Sequence, residues 1–205
     1  MLELIPDFGV KLKNRYFNLK TIFIKLIYSL VFATLIAISA NTFFYLPMTP
    51  VPITLQTLTV IFTSIILGKN LALLSTSIYI IAGILGLPVF AGFKTGFLTL
   101  LGPTGGYIIG FIFASYFTAC FFEIFSNKNK LERYSVLASS IIGILIIYFF
   151  GYLHFLGFLY PINKFAVTNN IFYQAYNMAI KPFIIPDILK MLMLSNFKLI
   201  YRKNF

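Results

Sequence analysis

The 205-residue sequence predicts an all-α integral membrane protein: six transmembrane helices in one bundle, both termini cytoplasmic, and a ligand pocket near the extracellular side capped by loops. Three observations predict it. Mean hydropathy is +0.92 and only 10% of the residues are charged, more apolar surface than a soluble core of this size can hide. The apolar residues gather into runs close to the ~20 residues that span a bilayer. The basic residues are sorted to one side of those runs, as the positive-inside rule requires.

The elements follow in chain order. A basic cytoplasmic tail covers 1–20, and a single membrane domain covers 21–205. Helix 1 spans 21–41. It runs too long for a cleaved signal and has no small-residue cleavage site, so it is read as the first span. Helix 2, over 53–68, is short. Helix 3 covers 70–86, and the two meet at Gly68-Lys69-Asn70, a tight turn that makes an antiparallel hairpin. Helix 4 (104–125) opens after Pro103, helix 5 covers 134–157, and helix 6 covers 182–200. No internal repeat and no two-domain division is evident.

With the N-terminus inside, the inner segments carry Lys11, Lys13, Arg15, Lys20 and Lys25, then Lys69, then Lys128, Lys130 and Arg133, then Lys198, Arg202 and Lys203. The outer segments carry Lys94, Lys164 and Lys181, and Lys190 lies within helix 6. The net charge of +11 therefore reports orientation rather than a nucleic-acid partner, for which no soluble basic face is present.

Three connections, 42–52, 87–103 and 158–181, fall on the outer side. The first runs through Pro47, Pro50 and Pro52, which fix φ and resist helix, and reads as a stiff extended strap. The second lies within a breaker-rich stretch that opens Gly83-Ile84-Leu85-Gly86-Leu87-Pro88-Val89-Phe90-Ala91-Gly92 and closes Leu101-Gly102-Pro103-Thr104-Gly105-Gly106-Tyr107. It is too apolar for a solvent loop and too rich in helix breakers for a span. Irregular backbone at membrane depth survives only when buried in protein or lining a cavity, so a ligand is sought here first. The third is aromatic and amide-rich and is expected to hold a short interfacial helix.

Asp187 and Lys190 are the sharpest pair of candidate residues. At i and i+3 they share one helix face near the outer end of helix 6. Ionisable groups in a span normally face the bundle interior and pair with each other or with a ligand. The plainer reading is a helix start at Pro186-Asp187, with Lys190 reaching toward the interface. His154 reads as an interfacial or hydrogen-bonded residue before a ligand contact. Glu123 reads as an orientation or partner contact beside the basic turn. Gly105-Gly106 opens a helix whose free N–H groups suit an anion as well as plain helix initiation. Ala33 and Ala37, four apart, permit close helix approach, within the chain or to a partner.

Several chemistries find no support. The phosphate loop GxxxxGK[ST] and the G-x-S-x-G elbow are absent from the sequence. So is any His/Cys/carboxylate cluster with metal spacing, and the single Cys120 lies in an apolar run. One acid and one base in an apolar site favour binding over turnover, so no catalytic residue, metal or cofactor is expected.

At these residues the chain resembles the BioY family, the biotin-specific substrate-binding (S) subunits of energy-coupling-factor (ECF) vitamin importers. The resemblance rests on Val51-Pro52-Ile53-Thr54-Leu55-Gln56-Thr57-Leu58, on Gly86-Leu87-Pro88-Val89-Phe90-Ala91-Gly92, and on Leu101-Gly102-Pro103-Thr104-Gly105-Gly106-Tyr107. It continues through Pro182-Phe183 to Asp187 and Lys190, so the blocks stand in order across roughly 33–200. It departs where Ile185-Pro186 stands in place of the family's Pro-Gly, and where Phe93, Lys94 and Phe97 replace further glycines.

The resemblance implies a prokaryotic plasma-membrane protein, not an enzyme, that binds biotin under the 1–2 and 3–4 loops. It also implies an ECF transmembrane coupling subunit and two ABC-type ATPase subunits as partners, the former docking at Ala33 and Ala37. Asp187 and Lys190 match the binding pair. Asp187 is expected to accept ureido N–H bonds and Lys190 to donate to a ligand oxygen. Thr54, Gln56 and Tyr107 are expected to add polar contacts, and Pro88, Val89, Phe90 and Gly92 to form the apolar wall. The rivals are an S subunit for another vitamin such as thiamine or riboflavin, a membrane enzyme using His154 or Asp187, and a structural subunit that binds no small molecule.

Overall fold

A computed structural model of the chain describes residues 6–128, 132–163 and 170–196. The elements are α1 (Pro6–Ala40), β1 (Phe43–Phe44), β2 (Ile53–Thr54), α2 (Gln56–Ile84), α3 (Leu98–Leu101), α4 (Gly105–Lys128), α5 (Glu132–Asn163), α6 (Ile171–Ala179) and α7 (Lys181–Asn196). Four helices among the described residues are long and apolar enough to cross a membrane: Leu19–Ala40, Gln56–Ile84, Gly105–Asn127 and Arg133–Pro161.

Two of the expected elements change shape. The strap between helices 1 and 2 closes into a short antiparallel β-hairpin, with Phe43 opposite Thr54 and Phe44 opposite Ile53. This sets the start of α2 at Gln56 rather than at 53, because Ile53 and Thr54 are held extended by β1. Helix 6 of the sequence reading begins at Lys181, so Pro186 falls inside α7 and not at its start. The helix-start explanation for Pro186-Asp187 therefore does not hold. The end of that expected helix, 197–200, lies outside the described residues, as do Lys164, expected on the outer side, and Lys130, expected on the inner side.

The other boundaries move by a turn or less, except that α1 and α5 run on further. The backbone of α1 is helical from Pro6, within the stretch read as a tail. Helix α5 continues to Asn163, past the expected end at 157. The short helix sought in 158–181 is α6, capped by the Asn170 side chain, which accepts the Tyr173 backbone N–H at 3.1 Å.

Helix α2 is not straight. Gly68 has φ 73° and ψ 171°, a left-handed conformation that costs glycine little and a side-chain-bearing residue much. Across this break the Gln56 side-chain amide donates to the Tyr79 hydroxyl at 2.6 Å. A straight helix would hold two residues 23 positions apart separated by about 35 Å. The two arms thus fold back on each other, as the Gly68-Lys69-Asn70 turn predicts. At the turn Lys69 pairs with Glu123 of α4 at 3.4 Å. Glu123 therefore has a partner inside the chain.

The main core gathers Ile36 from α1, Val60 and Tyr79 from the two arms of α2, Ile108 and Phe111 from α4, Ile147 and Phe155 from α5, and Phe183 from α7. A smaller cluster, Ile61, Ile65, Phe122, Val136, Ile144 and Leu194, fills the end toward Gly68. Several small hydroxyl side chains in this interior satisfy themselves on their own helices, while those of Ser29, Thr118 and Ser135 are buried without a hydrogen-bond partner among the described residues. Thr63, Ser64, Ser75, Thr76 and Ser140 each donate to the carbonyl four residues back, at 2.6–2.9 Å. Outward faces are apolar instead: Ile22, Phe23, Ile38, Leu145 and Phe149 are all about half exposed or more. In hydrocarbon that is the favoured arrangement.

Helices α4 and α5 cross at very short range. A Cβ on Gly106 would stand 2.4 Å from both the His154 Cβ and the Phe150 carbonyl oxygen. Further along the seam, Phe113 stacks on Phe150 with ring centres 4.5 Å apart and planes within 7°. This seam holds the start of α4, and with it Thr104 and Tyr107, against α5.

Candidate functional site

The site is assembled around the first turn of α2. Thr54 is the last residue of β2, and its hydroxyl accepts the Gln56 backbone N–H at 3.2 Å, one of the donors a helix start leaves free. Its carbonyl is turned toward α7. There the Lys190 ammonium donates to Thr54 O at 2.7 Å, to Thr57 Oγ1 at 2.9 Å and to Asp187 Oδ1 at 2.7 Å. Asp187 accepts from the Thr57 hydroxyl on Oδ1 at 2.9 Å and from the Tyr148 hydroxyl on Oδ2 at 2.7 Å. Asp187 is 2% exposed and Lys190 9% exposed, so the pair is held inside the bundle and not in lipid or at its surface.

These groups form the polar floor of a pocket. It is lined by Val51, Pro52, Thr54, Gln56, Thr57, Ala91, Thr104, Tyr107, Ile108, Phe111, Tyr148, Phe183, Asp187 and Lys190. About 540 Å³ of space lies between these atoms, part of it open to the outside. The walls are mostly apolar with a few placed polar groups, the usual composition of a small-molecule site. Two of the three connections expected on the outer side supply a wall each: the strap through Val51 and Pro52, the glycine-rich loop through Ala91.

Five of the expected ligand contacts, Thr54, Gln56, Tyr107, Asp187 and Lys190, meet around this space. The Tyr107 hydroxyl donates to the Ala179 carbonyl, so it also ties α4 to the junction between α6 and α7. Pro88, Val89, Phe90 and Gly92 do not line the pocket; their neighbour Ala91 does. Pro88 is exposed and Val89 half-buried against the core. Gly92, with φ 72°, turns the chain so that Phe90 and Lys94 pair back to back. The tip is pinned from the turn that follows α1, where Asn41 Oδ1 accepts the Phe93 backbone N–H at 2.8 Å.

Phe90 is a core residue. It is 1% exposed and meets the Tyr79 ring edge-on at 5.6 Å. A Cβ on Gly83 would stand 2.2 Å from its ring. Phe90→Ala is therefore expected to cost about 3 kcal/mol of stability, the usual scale for emptying a buried phenylalanine site. A lowered thermal midpoint in detergent, with ligand preference unchanged, is the measurement that checks it.

His154 lies outside the pocket as well. Its Nε2 is 2.9 Å from the Gly102 carbonyl oxygen, and it packs beneath Gly105 and Gly106. It therefore braces the loop that carries Thr104 rather than meeting a ligand. Ala33 is buried at 5% exposure in the chain's own core and Ala37 packs against the same cluster. Close approach within the chain accounts for Ala33, and the outward face at this level is Thr34, Leu35 and Ile38.

Thr57 and Tyr148 were absent from the expected contacts, yet both hydrogen-bond Asp187. Thr57 stands three residues beyond Thr54, in the first turn of α2. Tyr148 is a hydroxyl in the middle of Ile146-Ile147-Tyr148-Phe149-Phe150, and in a chain with 13 tyrosines that carries little signal by itself.

Comparison with known proteins bears directly on this arrangement. The BioY family model matches residues 13–203, nearly the whole chain. The chain belongs to the BioY family. Among BioY relatives, "Probable biotin transporter BioY" of Pyrococcus horikoshii is 41% identical over 144 residues, 69% of this chain and 74% of that one. "Biotin transporter BioY" of Thermotoga maritima is 34% identical over 161 residues, 78% of this chain and 85% of that one. The crystal structure of an S-component for biotin from an ECF-type ABC transporter shares the fold at TM-score 0.70 and 21% identity. That match covers 86% of this chain and 89% of the other. The BioY assignment agrees with a helical membrane bundle of several apolar spans.

Proposed function

We propose that this chain is the biotin-binding S subunit of an ECF-type vitamin importer. The observation that carries the reading is the buried Asp187–Lys190 pair at the floor of a loop-capped apolar pocket, in a chain of the BioY family. The names of the two relatives point to the same ligand. Biotin offers two ureido N–H donors, a carbonyl, an apolar sulfur ring and a carboxylate tail. Asp187 receives the N–H groups, Thr54, Gln56 and Tyr107 contribute polar contacts, and Val51, Pro52 and Phe111 surround the ring. Pro88, Val89, Phe90 and Gly92 act by shaping the loop that presents Ala91.

In this reading the two arms of α2 count as separate traverses. With α1, α4, α5 and α7 they make six helices in a prokaryotic plasma membrane. Both termini, including the basic 1–20 stretch, face the cytoplasm, and the pocket faces outward. Transport needs an ECF transmembrane coupling subunit and two ATPase subunits, since the sequence carries no phosphate loop of its own. Docking at Ala33 and Ala37 must then use the half-buried Ala37 side of α1, or a bundle whose α1 has shifted.

Equilibrium binding of labelled biotin to the purified chain tests the proposal. A vitamin panel in a thermal-shift assay, with thiamine and riboflavin included, separates it from an S subunit for another vitamin. Stabilisation by thiamine or riboflavin and not by biotin would overturn it. Tyr148→Phe is expected to weaken biotin about fivefold, since it deletes one hydrogen bond to Asp187 worth ~1 kcal/mol in net terms. Competition titration of the variant in detergent reads that loss.

A further inference from the structure

The loop that turns Ala91 toward the pocket has a second side that the pocket does not use. Leu85, Leu87, Phe93, Phe97, Leu98 and Leu101 are each more than half exposed on it. A contiguous stretch with this much exposed apolar surface marks an interaction site, because water disfavours it.

The lengths of the helices say what covers it. Lys69 and Glu123 pair at 3.4 Å, so they stand at one height, and at 41% and 34% side-chain exposure they belong at or beyond the hydrocarbon edge. From Lys69 the second arm of α2 climbs about 22 Å to Ile84, at about 1.5 Å per residue. From Glu123 back to Gly105, α4 climbs about 27 Å. The hydrocarbon layer is about 30 Å thick, so both helices end inside it and the loop that joins them starts and finishes there.

The backbone of the loop suits that depth. Leu87 N–H donates to Ala82 O at 3.0 Å, Phe90 N–H to Lys94 O at 3.2 Å and Gly96 N–H to Gly83 O at 2.7 Å. Phe93 N–H is taken by the Asn41 side chain. Thr99, Leu100 and Gly102 donate to carbonyls of the loop itself. Irregular backbone tolerates an apolar medium only when its polar groups are satisfied by protein in this way. Lys94 is exposed between Phe93 and Phe97, and its long stem can lift the ammonium to the lipid phosphates.

We infer that residues 85–101 are a lipid-seated cover, sunk among the upper acyl chains of the leaflet on the pocket side, with Ala91 facing the chamber and Phe93, Phe97 and Leu98 facing phospholipid. The inference rests on the bundle spanning a bilayer and is independent of which ligand fills the chamber.

The chain contains no tryptophan, so Phe97→Trp and Leu98→Trp each supply a single depth probe. Both positions are exposed, so neither change disturbs the core, and if one variant loses its thermal midpoint the other decides. Leu145→Trp, exposed about halfway along the Arg133–Pro161 span, is the mid-membrane reference. The full chain is placed in phosphatidylcholine nanodiscs, whose two faces are open to the buffer. The lipid is brominated either high in the acyl chain, near the glycerol, or low, near the midplane. In both loop variants the high bromine is expected to quench more than the low one, the reverse of Leu145→Trp. Aqueous iodide is expected to quench them several-fold less than a free tryptophan derivative.

Iodide quenching equal to that of the free derivative, without quenching by bromolipid, places the loop in water and overturns the inference. Shielding from iodide and from both bromolipids means that a second copy covers the face, and overturns it too. So does stronger quenching from the low bromine than from the high. Labelled biotin titrated into the same nanodiscs keeps the two readings apart: failure to bind removes the proposed ligand and leaves the lipid contact standing, while binding with an iodide-quenched loop does the opposite.

Discussion

Asp187→Asn is expected to weaken biotin binding at least tenfold while the bundle stays folded. The substitution keeps the shape of the side chain and removes its charge. The Thr57 hydroxyl can still donate to the amide oxygen, and the Tyr148 hydroxyl can turn to accept from the amide N–H₂, so most of the local scaffold persists. The ligand, however, exchanges a charge-assisted hydrogen bond for a neutral one, a difference of about 1–2 kcal/mol, and the amide N–H₂ now faces the ligand's own donors. Lys190 is left as a buried cation without its counter-charge, and loss of one partner from a buried pair can cost about 3–5 kcal/mol. Part of that cost falls on stability, so the thermal midpoint has to be recorded beside the affinity. An unchanged affinity by titration in detergent would remove Asp187 from the site.

Gly106→Ala is expected to be among the more damaging small substitutions in the protein. One added methyl group would stand 2.4 Å from a backbone carbonyl and 2.4 Å from the His154 Cβ, and 3.1 Å from the Gly151 Cα. Backbone on both sides leaves few rotamers to adjust, so α4 and α5 must part. Overpacking of this kind costs about 1–3 kcal/mol, which for a chain of this size lowers the melting temperature by roughly 3–10 °C. Because Thr104 and Tyr107 ride on the displaced end of α4, biotin affinity should fall as well. A variant with the wild-type midpoint and affinity would show that the seam is looser than its geometry implies.

Much of this was legible in the sequence because membrane physics leaves few choices. The lengths of the apolar runs gave the long helices, and the Gly68-Lys69-Asn70 turn gave the fold-back of α2. Asp187 and Lys190 stood out because an ionisable residue in an apolar run needs a reason to be there. What the sequence did not yield depends on contacts across the bundle. Phe90 and Ala91 are neighbours in an apolar loop, and only packing against Tyr79 and Gly83 decides that the first fills the core and the second faces the cavity. Tyr148 joins the site because α5 passes α7 at the height of Asp187, a register that no local pattern encodes. Pro186 reads as a helix start, yet α7 begins five residues earlier and tolerates the missing N–H.

The doubled-back α2 has a mechanical consequence. Its first arm begins at Gln56 and Thr57 in the chamber floor, and its second arm leads through Ile84 into the loop that holds Ala91 over the chamber. Floor and cover are thus mounted on one lever whose fulcrum is Gly68, latched near its free end by Gln56 and Tyr79. Tilting that lever carries both surfaces in the same direction and does not by itself widen the gap between them. Unloading cargo then calls for movement elsewhere: α7 withdrawing with its ion pair, or the strap of Val51 and Pro52 swinging aside.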